Sequence, residues 1–339
     1  MIIQFTDNVT MKEKEEVINI LASHNFRTRE VITGGASYLV SVGSEELDIR
    51  KIGNMRGVKD VHRVEDDQKL VSRKWKVDPT VVNINGSGIG GEEITIIAGP
   101  CSIENSDQVA NVASFLKQNN INIMRGGVFK PRSSPYSFRG VGLEGLRSFH
   151  EICSSMDIKV ITEVMDNKQI DDMYNYVDIF QVGARNSQNF TLLDAMGRID
   201  KPVLLKRGLS GTIDELLYSA EYIFSGGNER IILCERGIRT FEKSYRNTLD
   251  INAIPVLKRK SHLPVIVDPS HGTGIRSIVR EIALAGIIAG ADGIMVEIHE
   301  TPAKAVSDAA QTLDFHEAER LFHNARATWK FRDQISLPV

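Results

Sequence analysis

Short runs rich in valine and isoleucine alternate with amphipathic stretches from residue 94 to the C-terminal region. The runs are largely apolar on both alternating sets of positions, which is typical of strands buried on both faces of a parallel sheet. Eight runs are predicted as strands: Ile94–Ala98, Ile121–Met124, Lys159–Val164, Ile179–Val182, Pro202–Leu205, Ile231–Cys234, Pro264–Val267 and Gly293–Val296. Helical periodicity lies between them, at residues 107–119, 143–156, 167–175, 188–196, 213–224, 247–258 and 276–289, and a last helix is predicted from Asp314 to Lys330.

Strict alternation of eight strands with eight helices predicts an α/β fold, and two architectures share this pattern. A (β/α)8 TIM barrel takes about 250 residues, which suits residues 93–339, whereas a doubly wound open sheet is the alternative. The glycine-rich segment 86–91 precedes a strand instead of following one and opening a helix, so it lacks the context of a nucleotide-binding loop. We therefore interpret this segment as a hairpin turn and expect the barrel.

The first 70 residues follow a different pattern, with the order β-α-β-β-α-β of a ferredoxin-like unit. Strands are predicted at Met1–Phe5, Arg29–Thr33, Tyr38–Val42 and Val58–Val64, and helices at Met11–Ser23 and Glu45–Met55. Such α+β units often bind small regulators or pair with copies of themselves, although a packing or oligomerisation module is the plainer interpretation. We expect this domain at residues 1–70, a linker with a β-hairpin at 71–92, and the barrel at 93–339.

Composition and charge exclude several classes of protein. The chain has 42% hydrophobic and 25% charged residues, which is ordinary for a globular protein, and 41 basic against 44 acidic residues give a net charge of −3. Neither nucleic acid nor an anionic membrane is therefore expected as a partner. No apolar run reaches the roughly 18 residues of a membrane span. Three widely spaced cysteines and an N-terminus without a signal-peptide pattern predict a cytoplasmic location.

Charged residues follow the predicted strands at the end where a barrel carries its active site. One group is cationic and contains Arg125, Lys130, Arg132, Arg185, Lys206 and Arg236. So many like charges in one cleft need anions to neutralise them, and arginine binds phosphate and carboxylate groups through two parallel hydrogen bonds. The group predicts a substrate site for more than one anion, such as two phosphates and a carboxylate. Each cation taken alone could instead be a solvated charge paired with a nearby acid.

A second group at the strand ends has the side chains of metal ligands: Cys101, His271, Glu297 and Asp308. A thiolate, an imidazole and two carboxylates can hold a divalent transition metal and leave a position open for substrate. The strands concerned become neighbours once a barrel closes. Each residue also has an ordinary alternative, because Cys101 could be a small buried apolar residue and Asp308 could stand at a helix start.

Seven segments at these positions resemble those of the 3-deoxy-D-arabino-heptulosonate 7-phosphate (DAHP) synthase family. The resemblance covers nearly the whole chain and is to the type I β subgroup, which carries an N-terminal ferredoxin-like regulatory domain. It implies condensation of phosphoenolpyruvate with erythrose 4-phosphate and water to give DAHP and phosphate, the first step of the shikimate pathway. The segments are Gly99–Ser102, Arg125–Gly127, Lys130–Pro135, Gly183–Asn186, Leu205–Gly208, Cys234–Gly237 and Asp268–His271.

The resemblance also implies residue roles. Cys101, His271, Glu297 and Asp308 would bind one divalent metal ion, with Mn²⁺ expected first and Fe²⁺, Co²⁺, Zn²⁺ or Cd²⁺ as alternatives. The phosphoenolpyruvate contacts would be Arg125, Lys130, Arg185, Lys206 and Arg236, and the erythrose 4-phosphate contacts would be Lys130, Pro131, Arg132, Ser133 and Asp268. The candidate catalytic residues are Lys130, Cys101, His271 and Glu163. Lys130 would be a proton donor, and Glu163 or a metal-bound group would orient a water molecule.

Regulation is implied by the N-terminal domain. An aromatic amino acid, tyrosine or phenylalanine, would inhibit by binding between paired regulatory domains of a homotetramer. Two other functions stay open at this point. One is 3-deoxy-D-manno-octulosonate 8-phosphate synthase, which uses arabinose 5-phosphate and would carry Lys-Ala-Asn-Arg-Ser where this chain has Lys130-Pro131-Arg132-Ser133. The other is a non-catalytic amino-acid sensor, which should have lost some of the ligands or cations.

Overall fold

A four-stranded antiparallel sheet opens the chain in the computed structural model, which describes residues 1–43, 45–84, 86–130, 136 and 138–335. Its strands are β1 (Ile2–Phe5), β2 (Arg27–Ile32), β3 (Ser37–Val42) and β4 (Val58–His62), in the spatial order β2-β3-β1-β4. Helices α1 (Met11–Ser23) and α2 (Ile49–Gly53) complete the ferredoxin-like order, as predicted. The helix expected from residue 45 begins at Ile49, because the Asp48 side chain accepts the Arg50 amide and caps the helix there.

The glycine-rich segment is part of a hairpin, formed by the antiparallel strands β5 (Val82–Ile84) and β6 (Ser87–Ile89). Val82, Ile84 and Ile89 are buried against apolar side chains inside the barrel, among them Ile97 and Ile161. These contacts cover the end of the barrel at which the strands begin. They leave the opposite end, where the strands finish, as the mouth.

Within the described residues, eight parallel strands close into a barrel in chain order, which excludes the open sheet. Their inward side chains form one apolar layer and their outward side chains pack against the helices, as buried parallel strands require. The strands are β7 (Thr95–Gly99), β8 (Ile123–Arg125), β9 (Lys159–Val164), β10 (Ile179–Val182), β11 (Val203–Lys206), β12 (Ile231–Glu235), β13 (Val265–Val267) and β14 (Gly293–Glu297).

The helices of the barrel follow the predicted pattern with three main differences. The helices are α3 (Ser106–Gln118), α4 (Gly142–Ser155), α5 (Ile170–Met173), α6 (Phe190–Met196), α7 (Ile213–Ser225), α8 (Ala253–Lys260), α9 (Pro269–Thr273), α10 (Val279–Ile288) and α11 (Phe315–Gln334). One difference is that the stretch expected as a helix over residues 167–175 is α-helical only at Ile170–Met173, with a 3-10 turn on each side. The helix expected over residues 247–258 begins only at Ala253, because Thr248 pairs with Ile238 in the loop after β12. Short α9, directly after β13, was not predicted. A membrane-spanning helix is not found among the described residues, whose helices are too short or too polar for that role.

The N-terminal sheet packs against the side and the N-terminal end of the barrel, away from the mouth. Tyr38 and His262 both contact the Trp75 ring edge to face, with ring centroids 5.4 and 5.8 Å away. On α7, the Glu221 carboxylate accepts the backbone amides of Leu70 and Val71 at 2.9 and 3.0 Å. The segment after the sheet is therefore tied to the barrel by hydrogen bonds as well as by apolar contact.

Candidate active site

A polar cavity of about 230 Å³ opens at the mouth, where the eight strands end. It gathers most of the residues that the sequence pointed to, from positions far apart in the chain. The predicted residues that line it are Arg125, Lys130, Glu163, Arg185, Lys206, Arg236, His271 and Asp308. Cys101 and Glu297 lie beside them with 3% and 1% of their surface exposed. Pro131, Arg132 and Ser133 fall outside the described residues.

The strand ends approach closely at Gly99, the last residue of β7. A Cβ atom on Gly99 would lie 2.0 Å from the carbonyl oxygen of Arg125, so only glycine lets β7 and β8 come together here. Cys101 follows two residues later, and Lys130 donates to both its carbonyl oxygen, at 3.0 Å, and its sulfur, at 3.1 Å. The close approach therefore brings a thiol and an ammonium group into contact at the cavity.

Three of the predicted metal ligands are close enough to share one ion. Ligand atoms of Cys101, Glu297 and Asp308 all lie within 4.8 Å of one another. The Cys101 sulfur is 3.1 Å from Oδ2 of Asp308. Burial, reinforced by the charge of Glu297, raises the pKa of the Cys101 thiol to about 11. A bound divalent cation would reverse that balance, because a coordinating thiol loses its proton.

His271, the fourth predicted ligand, lies next to this group. Its Nε2 atom is 3.3 Å from Oε1 of Glu297, and its Nδ1 atom is 2.8 Å from Oδ2 of Asp268. Metal-binding histidines commonly donate the second ring nitrogen to a carboxylate, which fixes the ring and its tautomer. Burial lowers the pKa of His271, which favours the neutral ring that metals bind. The donor set and its surroundings thus fit a divalent transition metal.

Arg125 lies under the cavity and is paired with Glu297. Its Nη1 atom donates to Oε1 of Glu297 at 2.5 Å, and the two side chains are 5% and 1% exposed. Burial alone would raise the pKa of Glu297, but the neighbouring His271 and the Arg125 guanidinium outweigh it and the pKa is lowered. The Nε atom of Arg125 is buried and has no hydrogen-bond partner among the described residues. An anion or a water in the cavity would satisfy this donor.

Lys206 and Arg236 provide two further buried cations from β11 and the residue after β12. Lys206 donates to Oδ2 of Asp268 at 2.5 Å, and Asp268 is fully buried behind the cavity. Burial lowers the pKa of Arg236, with Arg246 adding to the shift and Asp268 opposing it. An anionic ligand would relieve this unfavourable burial of charge. Arg185, by contrast, is exposed at the rim.

Glu163 is an acidic side chain on the cavity wall. Gln181 on β10 donates to its Oε2 atom at 3.4 Å. A Cβ atom on Gly183 would lie 2.0 Å from the Oε1 atom of Glu163, so the glycine leaves the space that the Glu163 carboxylate fills. A carboxylate in this position, among cations, can accept a proton or hold a water molecule.

Sequence reasoning missed five residues of the cavity and its surroundings: Gln181, Arg239, Arg246, Asn247 and Gln311. Arg239, Arg246 and Asn247 belong to the loop after β12, where the sequence suggested that a helix begins at residue 247. A run of basic residues between Arg236 and Arg246 was the available signal. Gln311 gave no signal, because a single glutamine has no distinctive spacing. It is 2% exposed and donates to Oε2 of Glu297 at 2.6 Å.

Cations outnumber acids around the cavity, with seven lysines and arginines against Glu163 and Asp308 among the lining residues that the structure describes. Such a cleft attracts anions and concentrates them near the ligand cluster. The arrangement combines an anion site with a group that can hold a Lewis-acidic metal. It suits a reaction between phosphorylated or carboxylated substrates at a polarised carbonyl.

Comparisons with known proteins agree with this chemistry. The sequence profile of the DAHP synthetase I family matches residues 75–335. A phospho-2-dehydro-3-deoxyheptonate aldolase from Thermotoga maritima is 42% identical over 348 residues, and the alignment covers 100% of both chains. A 2-dehydro-3-deoxyphosphooctonate aldolase from Geobacter sulfurreducens is 32% identical, and the alignment covers 73% of this chain and 96% of that protein.

Solved structures give the same relationship. The crystal structure of the Thermotoga maritima phospho-2-dehydro-3-deoxyheptonate aldolase (DAHP synthase) superposes with a TM-score of 0.78 at 41% identity, over 100% of this chain and 98% of the other. A truncated form of 3-deoxy-D-arabino-heptulosonate 7-phosphate synthase from the same organism has a TM-score of 0.73 at 44% identity, and covers 80% of this chain.

Proposed function

The chain belongs to the DAHP synthetase I family, and we propose that the mouth cavity is where its two substrates bind and react. The activity is that of a DAHP synthase, a transferase that condenses phosphoenolpyruvate with erythrose 4-phosphate and water, giving DAHP and phosphate. Similarity to the octulosonate enzyme is more distant. That enzyme is 32% identical over 73% of this chain, whereas the heptonate aldolase is 42% identical over the whole chain. The sensor alternative has no support, since the ligand cluster and the cations are both present.

The observation that carries the proposal is the convergence of cations from separate strands around the Cys101, Glu297 and Asp308 cluster. Arg125, Lys206 and Arg236 are buried cations suited to the phosphate and carboxylate of phosphoenolpyruvate, with Lys130 and exposed Arg185 completing the set. The unpartnered Nε atom of Arg125 gives this site a donor that needs an acceptor.

One divalent ion would be held by Cys101, His271, Glu297 and Asp308. Mn²⁺ is our first choice, and the ligand set also accepts other divalent metals, among which cellular supply decides. The ion, when bound, would polarise the aldehyde oxygen of the second substrate as a Lewis acid. The geometry supports the set through the mutual 4.8 Å reach of three ligands and the 3.3 Å contact of His271 with Glu297.

The protein side chains would then direct the bond changes. The cations hold phosphoenolpyruvate so that its C3 faces the aldehyde carbon, which makes the reaction effectively unimolecular. As the C–C bond forms, Lys130 gives a proton to the aldehyde oxygen. Water held by Glu163 adds to C2 and gives one proton to that carboxylate. The new hydroxyl group then loses its remaining proton as the C2–O bond to phosphate breaks, which leaves the C2 carbonyl of DAHP and releases phosphate.

The second substrate is assigned less directly. It stays a prediction from the sequence that Arg132 and Ser133 bind the phosphate group of erythrose 4-phosphate, with Pro131 beside them. For Asp268 we propose a positioning role instead of direct contact, because its carboxylate is fully buried and bound to Lys206 and His271.

The N-terminal sheet would regulate the enzyme. We propose that tyrosine or phenylalanine binds there, in a homotetramer, and we keep the cytoplasmic location as a prediction. The bound domains would inhibit by covering a barrel mouth. Because this chain's own sheet packs away from its own mouth, the covering domain would belong to another subunit. The effector can shift the equilibrium between an open and a covered mouth only if it binds the two states with different affinity.

The test is loss of the phosphoenolpyruvate ultraviolet absorbance when erythrose 4-phosphate is added, with arabinose 5-phosphate in a parallel reaction. Both reactions are run with Mn²⁺ and with EDTA. Loss that needs metal and erythrose 4-phosphate is the expected result. Loss with arabinose 5-phosphate alone would move the function to the octulosonate enzyme. No loss with either sugar in folded, metal-supplied protein would overturn the catalytic assignment.

A further inference from the structure

Arg246 connects the cavity to both acidic residues of the ligand cluster. Its Nη1 atom donates to Oδ1 of Asp308 at 3.1 Å and to Oε1 of Gln311 at 3.0 Å. Gln311 in turn donates to Oε2 of Glu297 at 2.6 Å. One guanidinium group and one buried amide thus join two carboxylates that come from different segments of the chain.

The backbone holds Arg246 in this position. Its amide donates to the carbonyl of Thr273, at the end of α9, at 2.8 Å. Gly274, with φ of 69°, has no side chain at a point where a Cβ atom would lie 2.4 Å from Cβ of Arg246. The neighbouring Asn247 donates to the carbonyl of His271 at 3.0 Å. The segment 246–247 is therefore attached to the helix that carries the histidine as well as to the two acids.

We propose that Arg246 and Gln311 act as a clamp that positions Glu297 and Asp308 for metal binding, an inference that rests on the proposed metal site. Asp308 has φ of 54°, in the left-handed region where non-glycine residues are uncommon, so its loop needs outside contacts to keep this conformation. Arg246 supplies such a contact on Oδ1 and leaves Oδ2 turned toward the Cys101 sulfur. Partners that orient ligand carboxylates raise metal affinity because fewer arrangements must be given up on binding.

The proposal predicts that replacing Arg246 changes the metal affinity in the direction opposite to that expected from charge alone. Removing a cation beside a divalent metal site lowers electrostatic repulsion and should tighten metal binding. Removing a residue that positions the ligands should weaken it, by about tenfold or more. A weaker site after loss of the Arg246 charge is therefore not explained by electrostatics.

The chain offers a matched control in Arg239. It lies on the same loop and lines the same cavity, but no hydrogen bond of its side chain to a described residue is found. We would compare Arg246→Met, which keeps an unbranched chain against Gly274, with Arg239→Met and with Gln311→Met. The Mn²⁺ dissociation constant is measured on the full-length chain from the free-Mn²⁺ electron paramagnetic resonance signal, without substrates. Thermal unfolding without metal checks that each variant is folded.

We expect Arg246→Met and Gln311→Met each to weaken Mn²⁺ binding about tenfold, and Arg239→Met to leave it unchanged or slightly tighter. Because the two residues act through one chain of hydrogen bonds, the double variant should lose clearly less than the product of the single losses. Unchanged or tighter binding in folded Arg246→Met would overturn the clamp. If the Cys101→Ser variant instead binds Mn²⁺ as tightly as the wild type does, the proposed metal site is contradicted. The failure of the clamp and the failure of the metal site are therefore distinguishable.

Discussion

Lys206 donates to the Asp268 carboxylate at 2.5 Å, and the same Oδ2 atom lies 2.8 Å from Nδ1 of His271. The acid is fully buried and its other oxygen accepts the His271 amide at 3.0 Å. Burial by itself would raise the pKa of Asp268, but His271 and Lys206 outweigh it and hold the pKa well below its usual value. One carboxylate thereby sets the position of a proposed substrate cation and of a proposed metal ligand.

Asp268→Asn should therefore affect stability and metal binding together. The substitution keeps the shape but leaves Lys206 buried without a negative partner, which costs about 3 kcal/mol of unfolding free energy. Urea unfolding at neutral pH measures this loss, and Mn²⁺ titration measures the effect on His271. Asp292→Asn is the control, because it breaks the buried pair with Lys258 (2.8 Å) at the far end of the barrel. The control should lose stability and keep its Mn²⁺ affinity; equal Mn²⁺ affinity in both variants would count against the role of Asp268.

Cys101→Ser should abolish metal-dependent turnover while the chain stays folded. Serine is a much poorer ligand than thiolate for a transition metal. Because changes outside the ligand set already lower metal affinity 10- to 100-fold, we expect Cys101→Ser to lower the metal affinity by more than roughly 100-fold. Cys153→Ala is the control, since Cys153 is buried on α4 with its sulfur 3.7 Å from the Met124 sulfur, away from the cavity. It should lose about 1 kcal/mol of stability and keep metal-dependent phosphoenolpyruvate consumption. Retained activity in Cys101→Ser would remove the metal from the mechanism.

His262 should make the chain less stable in acid. Its Nε2 atom faces the Leu70 carbonyl at 2.8 Å, so the proton lies on Nε2, and Nδ1 accepts the Thr80 hydroxyl at 2.7 Å. Burial lowers the pKa of His262 to about 4. Between pH 6.5 and 4 the unfolded chain binds a proton that the folded chain does not, so up to about 3 kcal/mol is lost as the pH falls.

The measurement is the free energy of unfolding at pH 7 and pH 4.5 for the wild type and His262→Gln. Glutamine can make both hydrogen bonds without titrating, so the variant should lose less stability on acidification. The same loss in both chains would assign the acid sensitivity to other groups. The comparison uses the difference between the two pH values, since the substitution also changes packing against Trp75.

Removal of the N-terminal sheet should abolish inhibition by tyrosine or phenylalanine and leave turnover. The sequence placed the boundary at residue 70, but Leu70 and Val71 are fully buried and their amides are held by Glu221 on the barrel. Deleting residues 1–64 keeps this contact and is the better variant. Phenylalanine or tyrosine inhibition that persists after the deletion would place the effector elsewhere.

The amino-acid sequence by itself determined the architecture and predicted most of the residues that the mouth cavity brings together. Each barrel strand lies within a few residues of its predicted run, because burial on both faces leaves a direct mark on the composition of a strand. The reactive residues at the strand ends were found by the same logic, since closure of a barrel brings those ends to one mouth. The shape of the connecting segments was predicted less well, as the late start of α8 at Ala253 shows.

Only the tertiary structure decided which of these groups contact each other. Arg246 and Asp308 are 62 positions apart, and Lys206 and Asp268 are also 62 positions apart, so no local periodicity relates them. Their contacts depend on the path of the loop after β12 and on the curvature of the barrel, which brings the ends of β11 and β13 together across β12. Local patterns record whether a residue is buried, whereas the choice of partner is set by packing between distant segments, which is why the buried role of Asp268 and the contacts of Arg246 emerged only from the fold.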